Sequence, residues 1–134
     1  MAWVARLGSA LYIPSDGVEH LHFVCSDPFK PQGYASDSCL VVSVSSFRSK
    51  CDNTMILQVG DHPFIQHDSY VYFKMAHVRQ AQDLERLVQQ NVYRGGEDAD
   101  RSLIKRIVAC METSKFASME MRQIARDVFN QTNW

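Results

Sequence analysis

Gly60-Asp61-His62-Pro63-Phe64-Ile65-Gln66-His67-Asp68-Ser69-Tyr70-Val71-Tyr72-Phe73-Lys74-Met75 joins a turn marked by Gly and Pro to a run that alternates with period two. Val71, Phe73 and Met75 fall on one side of that run, and Tyr70, Tyr72 and Lys74 on the other. Such alternation predicts a half-buried strand, with one face packed and one free to meet a ligand. The same stretch holds two imidazoles, and histidine is the one side chain whose ordinary titration falls near neutral pH. Fold and candidate chemistry therefore start from one place.

Upstream, the pattern is also β. Leu21, Phe23 and Cys25 alternate with His20, His22 and Val24 until Asp27-Pro28 ends the strand. The stretch from Phe29 to Ser38, with Pro31, Gly33 and several polar residues, is a loop. Cys39 to Val44 is a β-branched run suited to a strand buried on both faces, and Ser45-Ser46 marks where it surfaces. A further strand is expected over Thr54 to Val59, with Met55, Leu57 and Val59 on one face. Several short strands divided by turns predict a small barrel or strongly bent sheet.

Beyond Val78 the period changes to 3.6. Ala81, Leu84, Leu87 and Val88 form one stripe that Gly95-Gly96 is expected to break. Asp98 is the expected cap of a second helix, with Leu103, Ile104, Ile107, Val108 and Met111 inward. A third helix is expected after Ser118, with Met121, Ile124, Ala125 and Val128 inward. The fold class is α+β: a small antiparallel barrel over about residues 11–78, then a helical part over about 79–134 covering one end or open edge. At 134 residues this is one domain, able to bury roughly two-thirds of its unfolded surface.

Composition narrows the function classes. The chain is 46% hydrophobic and 22% charged, close to a soluble average, and has no run near the roughly 20 apolar residues of a membrane helix. The first seven residues do not follow the charge-first order of a secretory signal. Cys25, Cys39, Cys51 and Cys110 are irregularly spaced and lack a CxxC, which favours a reduced cytoplasmic chain over a disulfide framework or a zinc site. A net charge of −1 excludes the uniform basicity of a general nucleic-acid binder but leaves room for a local patch. No GxGxxG, Walker loop or GxSxG elbow is present, so no nucleotide cofactor and no serine hydrolase are expected.

His62 and His67 are the leading acid–base candidates. Facing one cleft, one imidazole could accept the 2′-hydroxyl proton of RNA and the other protonate the leaving 5′-oxygen, with Lys74 or Arg48 stabilising the phosphorane charge. The alternative is that His62 caps the turn while His67 bonds backbone or Asp68. His20 and His22, with His77, have the spacing of a metal pair but no fixed third ligand, and no metal is expected. Tyr34, Tyr70 and Tyr72, bordered by Lys74 and Arg48, suit a stacking platform for single-stranded RNA, or are ordinary strand formers. From Arg101 to Arg126 six Lys/Arg stand against two Glu. Leu103 through Phe129 therefore also reads as a helix-turn-helix, against the alternative of a helical pair packed on the sheet.

The order of elements resembles the PemK/MazF-like family of bacterial toxins: a strand ending in Asp27-Pro28, a long loop, a strand ending in Ser45-Ser46, more strands, then helices. The turn Gly60 to Phe64, followed by His67 and Ser69, is also similar to that of uncharacterised small bacterial proteins. The toxin resemblance implies an SH3-like barrel and cleavage of single-stranded RNA by a homodimer that an antitoxin protein neutralises. It implies a catalytic hydroxyl at Ser45 or Ser46. Asp37-Ser38 stands where the family has an Arg, and Arg48 is the substitute from the other end of the strand. The leading expectation is thus a cytoplasmic, RNA-binding, toxin-type endoribonuclease without a cofactor. A protein-interaction module built on the same barrel and a DNA-binding regulator using the last helices are the alternatives.

Overall fold

The computed structural model describes residues 2–134. Its strands are β1 (Ala10–Ser15), β2 (Val18–Val24), β3 (Ser38–Ser46), β4 (Ile56–Leu57), β5 (Ser69–Gln80) and β6 (Arg94–Gly96). Its helices are α1 (Ala81–Gln89), α2 (Arg101–Thr113) and α3 (Met119–Gln131). The strands form one curled antiparallel sheet in the order β4-β5-β3-β2-β1-β6. The fold is α+β.

The sheet buries both faces. On the first, Phe23, Leu40, Val42, Val71 and Phe73 meet the inward stripes of α2 and α3, where Ile104, Ile107 and Met111 are inaccessible to solvent. On the second, Leu11, Val24, Cys39 and Val41 meet Ala81 and Leu84 of α1. Both faces of β3 are therefore packed, as its unbroken apolar run predicts. The C-terminal helices cover a face rather than an end or edge. Ser118 caps α3 by accepting a hydrogen bond from the Met121 N–H at 3.1 Å.

Several expectations need correction. β1 precedes the expected first strand, joined to β2 by Asp16-Gly17, both with positive φ (52° and 78°), the geometry of a tight hairpin turn. The strand expected over Thr54 to Val59 shrinks to Ile56–Leu57, and Val59 is 67% exposed. β5 does not alternate through Met75. Tyr72 pairs with Ser43 and His77 with Val41, so Phe73 to Ala76 bulge opposite Val42 alone, and Met75 turns outward.

Gly95-Gly96 does not end a helix. α1 has already stopped at Gln89, with Asn91 at φ 60°, and the two glycines lie in β6 against β1. Their lack of a side chain matters there. A Cβ on Gly95 would come within 2.8 Å of the Trp3 ring, and one on Gly96 within 2.9 Å of Tyr12. Asp100, not Asp98, occupies the cap position of α2; Asp98 pairs instead with Arg6 at 2.8 Å. The β and helical parts are thus interleaved, because β6 returns to the sheet from within the helical half.

Candidate functional site

Three segments converge at one end of the sheet: the start of β2, the end of β3 with Arg48 just beyond it, and the connection from Phe64 to Ser69. Between them lies a cleft of about 460 Å³, within the usual size of a small-molecule or nucleotide site. Leu21, Val44 and Ile65 give it an apolar floor, while Ser45, Ser46, Arg48, His20, Gln66 and His67 supply polar groups.

The connection that carries His67 is held by short-range contacts. Gly60 has φ 104°, the left-handed region open to glycine, and the Asp61 carboxylate accepts the Gln58 N–H at 2.7 Å to close the turn. Ile65 anchors the segment in the core. The Phe47 N–H donates to the Asp68 carbonyl at 3.0 Å, and Ser46 pairs with Ser69 across the ladder. These pairings bring His67 to the end of β3. Its Nε2 lies 2.8 Å from Ser46 Oγ, a hydrogen bond on the exposed lip of the cleft. His67 thus bonds neither Asp68 nor backbone through that nitrogen.

Arg48 stands on the same rim. The nearby Tyr70 hydroxyl pushes the Arg48 pKa up from its ordinary value. The group is a permanent cation. Such a cation beside an imidazole–hydroxyl pair can hold a phosphate while a proton moves.

The two histidines of the Gly60 turn do not share the cleft. His62 is 3% exposed; its Nε2–H donates to the Glu97 carbonyl at 2.6 Å, and its Nδ1 accepts the Phe64 N–H at 3.1 Å. With both nitrogens committed to backbone and its ring edge-on to Phe23 at 5.3 Å, His62 clasps the turn to the segment leading into α2. His20 is the second imidazole lining the cleft. Its place follows from the β1–β2 hairpin, whose Asp16-Gly17 turn is the sequence signal that would have aimed it there.

The tyrosines are not one platform. Tyr70 is 3% exposed, with its ring 5.7 Å from that of Tyr72, and Tyr34 sits apart in the loop before β3, its hydroxyl 3.4 Å from Glu120. Lys74 is exposed on the β5 bulge and does not line the cleft. Aromatic surface at the cleft comes instead from Phe64, which is 43% exposed.

His22 and His77 lie on the sheet face opposite α2 and α3, each with its Nδ1–H on a nearby carbonyl at 2.9 Å. Burial, with nearby positive groups, lowers the His22 pKa to about 4, and burial lowers that of His77 as well. No group of three or more His, Cys, Asp or Glu among the described residues could hold a metal ion. All four cysteines are free thiols, and burial pushes Cys39 up to about 12.

A second cleft, of about 550 Å³, opens at the start of α1. Its Arg6 is spent on Asp98 and its Glu85 accepts the Ala5 N–H at 2.9 Å. Among the described residues no helix is long and apolar enough to cross a membrane. Comparison with protein-family models, curated proteins and solved structures finds no match to this chain.

Proposed function

We propose that the protein binds single-stranded RNA in the Ser46–His67 cleft and cleaves it as a toxin-type endoribonuclease with its own side chains as proton carriers. The observation that carries this reading is the 2.8 Å hydrogen bond between Ser46 Oγ and His67 Nε2 on a cleft that Arg48 also lines. In this reading His67, aimed by Ser46, accepts the proton of the RNA 2′-hydroxyl. The 2′-oxygen then attacks the adjacent phosphorus and the bond to the 5′-oxygen breaks. His20 returns a proton to that leaving oxygen, and Arg48 offsets the charge that builds on the phosphoryl oxygens. The products are a 2′,3′-cyclic phosphate and a free 5′-hydroxyl.

The finer fold assignment belongs to the same proposal. The curled antiparallel sheet is the counterpart of the SH3-like barrel of PemK/MazF-like toxins, and the inhibitory partner is an antitoxin protein that occupies the cleft. Against the DNA-binding alternative, three of the cations of the last helices already have neighbours: Arg126 is 3.0 Å from Glu112, while Arg101 and Lys105 lie over Trp134 and Phe129.

The test is incubation of the full chain with a mixed-sequence single-stranded RNA pool at low ionic strength. Wild type is expected to cleave, and His67→Ala to lower the rate by on the order of 10²-fold or more with its fold intact. A His67→Ala variant that cleaves like wild type removes the proposed chemistry. Binding without cleavage by wild type across a broad RNA panel favours the interaction module instead.

A further inference from the structure

Phe64 is an aromatic ring left 43% exposed beside the cleft, yet it is not loose. Its backbone N–H is held by His62 Nδ1 at 3.1 Å, and its ring lies 4.8 Å from that of Tyr12. Tyr12 is in turn capped by Arg94, whose Cζ stands 4.0 Å over the Tyr12 ring. Arg94 is fixed by two hydrogen bonds to Glu19, at 3.0 and 2.9 Å. Phe64, Tyr12, Arg94 and Glu19 thus make a continuous stack whose two ends, Phe64 and Glu19, both border the cleft. The closeness of β6 to β1 completes it, since Gly96 leaves room for the Tyr12 ring.

Nothing in the proton-transfer scheme uses this stack. A rigid, solvent-facing ring lining the same cleft as the Arg48 cation is suited to an unpaired nucleobase: the base gains a π-face at little entropic cost, because the platform is already ordered. We propose that Phe64 is the base-stacking residue of the cleft, taking one unpaired base of single-stranded RNA, purine in preference to pyrimidine, beside the phosphate held at Arg48. This rests on the RNA-binding reading of the same cleft and assigns a role to a residue outside its proton-transfer groups. A base buried in a duplex cannot reach the ring, so the stack also selects single strands.

The probe is a short 2′-O-methylated single-stranded RNA carrying 2-aminopurine, whose fluorescence is quenched when it stacks and whose blocked 2′-position prevents cleavage. Wild type is expected to bind it saturably and quench it. Phe64→Leu keeps apolar volume without the π-face, and should lose most of the quenching and about tenfold in affinity. Phe64→Trp should retain both. A uridine-only oligonucleotide should bind wild type a few-fold more weakly than an adenosine-only one. If wild type binds the probe but Phe64→Leu, folded with an unchanged melting temperature, binds and quenches equally, the stacking role is overturned while RNA binding stands. If wild type binds no RNA at low salt, the RNA-binding reading fails and the stacking role with it.

Discussion

Replacing His62 by alanine separates a structural histidine from a chemical one. The imidazole is 3% exposed and makes two hydrogen bonds, to the Glu97 carbonyl at 2.6 Å and from the Phe64 N–H at 3.1 Å. Losing a hydrogen bond costs about 1 kcal/mol, and leaving a poorly solvated partner unsatisfied raises this to about 1–3 kcal/mol. The void beside Phe23 adds to it. A destabilisation of about 2–4 kcal/mol is therefore expected, which for a chain of this size lowers Tm by roughly 10 °C. Calorimetry and urea denaturation measure it. His62→Gln, which can still donate to a carbonyl, should recover part of the loss. At a temperature where the variant remains folded, its RNA cleavage should stay within a few-fold of wild type. An unchanged Tm with cleavage abolished would refute the clasp and make His62 the catalytic imidazole.

Stability should fall on acidification through His22, whose folded-state pKa is lowered to about 4. Between the ordinary histidine value near 6.5 and that pKa the unfolded chain binds a proton that the folded chain refuses, so stability is complete above about pH 6.5 and declines by about 3 kcal/mol toward pH 4. His77 acts in the same direction; His22→Asn should flatten the denaturation profile between pH 4 and 6.5, and a slope unchanged by that substitution would contradict the assignment. Deleting residues 101–134 removes α2 and α3 and uncovers Phe23, Val42 and Phe73, so the truncated chain should aggregate or bind a hydrophobic dye. A soluble fragment with the melting transition of the full chain would mean that the helices are not part of one cooperative core.

Elements with a strong period were legible in the sequence. The stripes of α2 and α3 and the doubly buried β3 have the faces that their residues predict, because burial of those faces dominates local preference. Shorter elements were not. β6 has three residues, two of them glycine, and exists because β1 offers an edge and Trp3 and Tyr12 leave space only for hydrogen atoms. The outward turn of Met75 arises from a bulge against β3, and single-strand periodicity carries no information about a partner's register.

The site was legible in part for the same reason. Ser46 and His67 lie in hydrogen-bond contact and Arg48 lines the same cleft, an arrangement set by Ser46–Ser69 pairing that residue spacing cannot supply. His20 and Phe64 come from hairpin geometry and a side-chain stack spanning Phe64, Tyr12, Arg94 and Glu19, all of it long-range. His62 was misplaced in the cleft because a turn histidine reads the same whether its nitrogens face solvent or backbone.

The most direct test of the central claim is the mass of the 3′ ends left when wild-type protein is incubated with single-stranded RNA in the presence of EDTA. Proton transfer from the 2′-hydroxyl to His67, which frees the 2′-oxygen to attack phosphorus, predicts fragments ending in 2′,3′-cyclic phosphate, formed more slowly with His67→Ala by on the order of 10²-fold or more. Uncut RNA, or fragments ending in a 3′-hydroxyl, would contradict it.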